Sequence, residues 1–166
     1  MKKTVFAFVF LFTLISGYSQ EPLKKDALEL EIKSDKGVKT TLGEVIESHK
    51  GKPILIDIWA TWCPDCIKGM PKVHDLQKQF KKEVVYLFLS YDRTEDAWIK
   101  GIKKYKVKGE NYFILSDWKT GKLKGAINLD WIPRYMVIDK NGKIALFRAI
   151  EADDSKLIET LKELTK

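Results

Sequence analysis

The feature that most constrains this chain is a pair of cysteines, Cys63 and Cys66, its only two, placed where one kind of backbone pattern gives way to another. Before them, Pro53 to Ala60 is a nearly unbroken apolar run, as a strand covered on both faces would be. After them, Ile67, Met70, Val73, Leu76 and Phe80 recur at helical spacing, with lysines and Asp75 on the other side. The first thiol therefore falls at a helix N-terminus, where unpaired backbone N–H groups and the helix dipole favour a thiolate. Two thiols at this spacing can close a small disulfide, and the pattern reads as a redox dithiol.

The competing uses of two cysteines are weaker. A zinc site takes about four ligands. The chain has no second cysteine pair, and its two histidines, His49 and His74, are far from the first. A structural disulfide across so short a loop would remove little entropy from the unfolded chain.

Lys2 and Lys3, the apolar run Val5 to Ile15, and the small and polar stretch Ser16 to Gln20 have the order of a secretory signal, with cleavage expected after Ser19. The run is short for a membrane span of about 20 residues, so residues 1–19 are a leader, an uncleaved anchor being the alternative. No cysteine follows the apolar run, which excludes a lipid-modified N-terminal cysteine. Residues 20–166 then form one domain able to bury its own core. A chain exported to an oxidising compartment with both its cysteines in one motif uses the disulfide in reaction rather than as framework. The formal charge of +7 is spread out. Lys100, Lys103, Lys104, Lys106 and Lys108 read as a solvated face, and export removes the chain from nucleic acid.

One residue breaks the apolar run: Asp57, six positions before Cys63. A carboxyl in a buried strand is costly unless it is paired or its pKa rises until it stays neutral. It is either a proton relay for a thiol above it or a satisfied core acid.

Leu28 to Lys33 alternates, and with the turn Ser34 to Gly37 and the run Val38 to Thr41 it reads as a hairpin. Leu42 to His49 is a short helix, and Pro71 falls inside the helix after Cys66, where it should kink it. Val84 to Ser90 is a second parallel strand, completing a right-handed βαβ unit. Ala97, Trp98, Ile102 and Tyr105 mark a helix, Tyr112 to Leu115 is a short apolar piece, and Leu123 to Leu129 is weakly helical. Arg134 to Asp139 and Lys143 to Ala149 form a hairpin whose Asn141-Gly142 suits a type I′ turn. Asp153 to Leu164 is a closing helix. The order β-β-α-β-α-β-α-β-β-α indicates an α/β sandwich with a mixed central sheet.

From about Leu28 to Leu164 the chain resembles the thioredoxin superfamily, and within it the TlpA-like thiol-disulfide oxidoreductases. The resemblance is carried by Asp57-Ile58-Trp59-Ala60-Thr61-Trp62-Cys63-Pro64-Asp65-Cys66, by Pro71, by Ile132-Pro133 and by Lys140-Asn141-Gly142-Lys143. It implies a thioredoxin-like three-layer α/β sandwich, a mixed central sheet flanked by helices, with an N-terminal β-hairpin and an insertion after the second parallel strand, around Glu95 to Leu115. It implies Cys63 as the exposed attacking thiol, Cys66 as the buried resolving thiol and Asp57 as the acid that helps Cys66 lose its proton. Pro133 is expected cis, with the Ile132 backbone pairing with a substrate strand and Trp62 shielding the motif and docking the partner.

The resemblance further implies a periplasmic, monomeric enzyme of a Gram-negative bacterium. It would reduce disulfides of envelope proteins through a mixed disulfide, draw electrons from a membrane thiol donor, and need no cofactor, metal or nucleic acid. The sequence departs from the family at Pro64-Asp65, because Asp65 sets a negative charge in the first helical turn, where it competes with a Cys63 thiolate for the dipole. A peroxidase of the peroxiredoxin type is disfavoured, since Thr61 lies two residues before Cys63 where that family has three. A copper-handling envelope protein is disfavoured because no histidine follows His74.

Overall fold

The computed structural model describes residues 22–118 and 121–166; the expected leader at 1–19 lies outside the described residues. In chain order the elements are α1 (Lys25–Leu28), β1 (Glu31–Ser34), β2 (Lys39–Thr41), α2 (Leu42–Ser48), β3 (Ile54–Trp59), α3 (Pro64–Phe80), β4 (Val85–Ser90), α4 (Glu95–Tyr105), β5 (Glu110–Ile114), α5 (Lys122–Ala126), β6 (Arg134–Ile138), β7 (Ile144–Ala149) and α6 (Ser155–Leu164). A 3₁₀ turn at Lys81–Glu83 joins α3 to β4.

The strands make one sheet in the order β2-β1-β5-β4-β3-β6-β7. β3 pairs parallel with β4, and β4 parallel with β5, while β6 runs antiparallel to β3 and β7 antiparallel to β6. All six residues of β3 are buried, as its continuous apolar run requires in a central strand. The connections β3-α3-β4 and β4-α4-β5 step the same way along the sheet, so right-handed crossovers place α3 and α4 on one face. α6 joins that side through Lys72 of α3, which pairs with Glu151 and Asp153 just ahead of it at 2.8 and 2.7 Å. On the opposite face α1 packs against α2 and α5. The result is the three-layer mixed sandwich expected.

The stretch from Glu95 to Leu115 has a definite task here. It supplies α4 and β5, and β5 in turn pairs with β1, so the inserted strand is what attaches the N-terminal hairpin to the sheet.

Two local readings are corrected. The alternation that suggested a strand from Leu28 instead begins with a helical turn, α1, because Ala27 is fully buried there and the strand proper starts at Glu31. The Asn141-Gly142 hairpin is not a type I′ turn. Gly142 has φ +82°, but Asn141 is not among the residues with positive φ. The Asp139 carboxylate accepts the backbone N–H of both Asn141 and Lys143 at 2.8 Å, and the Gly142 N–H bonds the Asp139 carbonyl. That makes a three-residue loop in which an ordinary turn is followed by a left-handed glycine.

Candidate active site

The cysteines sit at the C-terminal end of β3, in a turn held from the neighbouring strand. The Asp92 carboxylate accepts the Thr61 N–H at 3.0 Å and also the Thr61 hydroxyl. Asp92 is itself fixed by Ser90, whose hydroxyl donates to the carboxylate at 2.8 Å and accepts the Asp92 N–H at 3.0 Å. The Trp62 indole N–H donates to the Tyr91 carbonyl at 3.0 Å. Residues 90–92, at the end of β4, thus clamp the loop that presents the dithiol.

Cys63 is the N-cap of α3, Pro64 opens the helix, where a missing N–H costs nothing, and Asp65 stands exposed in the first turn. Cys63 and Cys66 are joined by a disulfide, with Cα atoms 5.3 Å apart. The Cys66 N–H points at Cys63 Sγ, 3.1 Å away. The same donor would stabilise a thiolate on Cys63 when the pair is reduced.

The bond between Ile132 and Pro133 is cis, as expected. The Ile132 carbonyl oxygen lies 3.5 Å from Cys63 Sγ, so it is turned toward the sulfur. Together with the disulfide this corrects one expectation: Cys63 is only 4% exposed, scarcely more than Cys66 at 1%. Trp62 and Trp131, at 48% and 59% exposure, flank the site on the surface. Trp118 is half-buried, its ring edge-on to Tyr91 at 4.9 Å.

Asp57 is buried, and neither carboxylate oxygen has a hydrogen-bond partner among the described residues. Burial pushes its pKa up to about 8, so the carboxyl is held largely protonated at neutral pH. Its side is fixed by the pleat. Trp59, two residues on, shares its face, and a Cβ on Gly101 of α4 would stand 3.4 Å from the Trp59 ring. Tyr135, directly across on β6, also shares that face, and a Cβ on Gly69 of α3 would stand 2.9 Å from its hydroxyl. Asp57 therefore lies on the face of the sheet that carries the dithiol helix.

Three residues of this region escaped the sequence reading. Asp92 follows the apolar run of β4 directly, a signal that was present. Tyr135 and Arg134 gave none beyond lying in an apolar strand. Arg134 is fully buried and donates to the carbonyls of Ile127 and Asn128 at 3.1 and 3.2 Å and to Asp130 at 2.7 Å, fixing the loop that delivers Ile132 and Pro133. The histidines lie elsewhere. His49 pairs with Glu110, at the opposite end of the parallel strands from the cysteines, and His74 meets the Lys106 carbonyl.

A cleft of about 230 Å³ opens beside the site, lined among others by Asp65, Lys68, Gly69, Trp131, Pro133 and Tyr135. A second, of about 510 Å³, lies on the other side between Trp62, Tyr91, Arg93, Leu115 and Trp118.

The disulfide thus sits at a strand-to-helix turn and faces a cis proline on a mixed-sheet sandwich. A family model described as thioredoxin-like matches residues 51–144, from just before β3 to the start of β7. The chain belongs to the thioredoxin-like family. Within that family it is similar to the thiol-disulfide oxidoreductase ResA of Bacillus cereus, with 32% identity over 158 residues, 93% of this chain and 87% of that one. A Bacteroides vulgatus crystal structure, described as a candidate thiol-disulfide oxidoreductase, superposes with TM-score 0.67 at 28% identity, covering 81% of this chain and 90% of that one. A Chlorobium tepidum structure described as a candidate DsbE thiol:disulfide interchange protein shares the fold, with TM-score 0.69 at 18% identity over 89% of this chain and 97% of that one. This thioredoxin-like chain is a thiol-disulfide oxidoreductase of the TlpA-like group, acting on protein disulfides.

Proposed function

We propose that the enzyme works in the bacterial envelope as a reductase of protein disulfides, with Cys63 as the attacking thiol and Cys66 as the resolving one. The Cys63 thiolate attacks a disulfide of the partner, forming a mixed disulfide and expelling one partner sulfur as a thiolate. Cys66 loses its proton to the ionised form of Asp57 and attacks Cys63 Sγ. The second partner sulfur leaves, and the Cys63–Cys66 disulfide forms, so two electrons have passed to the partner. A thiol donor of the membrane, outside this chain, returns two electrons to the pair.

The observation that carries this assignment is the asymmetry of the two sulfurs. Cys63 Sγ receives the Cys66 N–H at the start of α3 and lies against the Ile132 carbonyl, whereas Cys66 lies within the first turn of the helix. A partner strand would lie against the exposed Trp62 and along the backbone of the buried Ile132 and Pro133.

The reducing direction is supported by Asp65. A charge in the first turn of α3 opposes a thiolate at the N-cap, and a poorly stabilised thiolate makes a reducing rather than an oxidising pair. Location in the periplasm of a Gram-negative organism is supported by the leader pattern at 1–19, with a mature domain over 20–166. Among the described residues no helix is long and apolar enough to cross a membrane.

Trapping tests the roles. With Cys66→Ser, Cys63 should retain disulfide-linked partner proteins in a non-reducing gel, and with Cys63→Ser none should be retained. Capture through Cys66 instead would reverse the assignment.

A further inference from the structure

At neutral pH Asp57, beneath α3, is largely protonated, and that proton has to reach solvent before the carboxylate can take the one on Cys66. The sheet limits the ways out. On its own face Asp57 has Leu55 and Trp59 along β3, Phe88 opposite on β4 and Tyr135 opposite on β6. Leu55 and Phe88 carry no exchangeable proton. The Trp59 indole N–H donates but cannot accept. Only the Tyr135 hydroxyl can do both.

That hydroxyl is placed for the task. It is buried and has no hydrogen-bond partner among the described residues, yet the Tyr135 side chain lines the 230 Å³ cleft between α3 and the residues that follow β7. Over it on α3 stands Gly69, where a Cβ would come within 2.9 Å of the hydroxyl oxygen. Glycine there leaves the hydroxyl room to turn.

We propose that Tyr135 is a positioning residue that carries the proton of Asp57 to this cleft, an inference that rests on Asp57 being the base for Cys66. In the step, the Tyr135 oxygen accepts the Asp57 proton, through a water from the cleft, as its own hydroxyl proton passes outward. Tyr135 ends neutral, and Asp57 ends ionised, ready to take the proton of the Cys66 thiol. The groups that surround the path are Asp57 on β3, Asp65, Lys68 and Lys72 on α3, and Glu151 and Asp153 before α6, the last two paired with Lys72. Burial and the charges of Asp57, Asp153 and Glu151 hold the Tyr135 pKa far above the ordinary tyrosine range, so the hydroxyl exchanges protons without becoming a tyrosinate.

The test uses the reduced protein and an aromatic disulfide that releases a coloured thiol twice: first when Cys63 attacks, then when Cys66 resolves. Stopped-flow traces are taken from pH 6 to 9 for wild type, Tyr135→Phe, Asp57→Asn and the double variant. Tyr135→Phe should leave the first phase unchanged, which also reports that the site is folded, and slow the second about tenfold, an effect that vanishes in the Asp57→Asn background. A second phase within about twofold of wild type, with Asp57→Asn slow, overturns the role of Tyr135 and leaves that of Asp57 standing. Equal slowing by Tyr135→Phe in both backgrounds overturns the relay as well. If Asp57→Asn leaves the second phase untouched, the reading of Asp57 fails and the relay falls with it.

Discussion

At the scale of single residues, the clearest departure from ordinary packing is Asp57, an acid with no hydrogen bond among the described residues, in the middle of a fully buried strand. Its cost to the fold has a definite pH dependence. The folded carboxyl keeps its proton up to about pH 8, whereas the unfolded one releases it near the ordinary aspartate value of 3.8. Between those limits the folded state holds more protons, so stability falls as pH rises, by up to about 1.4 kcal/mol per pH unit. Urea unfolding of the oxidised protein from pH 5 to 8 should therefore show wild type losing stability relative to Asp57→Asn, by a few kcal/mol over the range. Parallel slopes for the two would mean that Asp57 ionises freely in the fold. The sequence made Asp57 conspicuous because a lone acid in an apolar run is visible without coordinates. Tyr135 was not visible, since a tyrosine in a buried strand is unremarkable until the partner across the sheet is known. The exposure of Cys63 was misjudged for a similar reason: the Ile132 carbonyl that lies against it comes from a loop 69 positions away.

At the scale of elements, α3 and α4 are both pressed close to the layer beneath them. Gly101 of α4 faces the Thr61 side chain, which the clamp at Asp92 holds in place. Alanine is the better helix former by about 1 kcal/mol. Its methyl group would nevertheless collide with Thr61 Cγ2, and overpacking of this kind costs about 1–3 kcal/mol. Gly101→Ala should lower the melting temperature in wild type and much less in a Thr61→Ser background, where the colliding methyl is gone. Equal effects in the two backgrounds would show that the contact is not the cause. The long periodic elements β3, α3, β4 and α6 were legible because apolar spacing over many residues admits one reading. The short ones were not. Four residues of α1 and a three-residue loop at Lys140–Gly142 are decided by Ala27 meeting the core and by the Asp139 carboxylate, both of which are tertiary facts.

For the whole molecule, the sheet order was within reach of the sequence because two same-handed crossovers leave little choice. The pairing of the inserted β5 with the hairpin strand β1 was not, since it joins segments about 80 positions apart whose patterns do not refer to one another. The fold brings three things to one end of the parallel strands: the dithiol at the start of α3, the cis proline before β6, and the loop after β4 that holds the motif turn. The proposed function is that of a reducing enzyme whose pair gives electrons to protein disulfides. The most direct test is the reduction potential of the Cys63–Cys66 pair, measured by equilibrating the protein lacking residues 1–19 with dithiothreitol or glutathione buffers and following tryptophan fluorescence. A value below about −230 mV is predicted, nearer thioredoxin than DsbA, and a value above about −150 mV would contradict the account and mark an oxidase or isomerase.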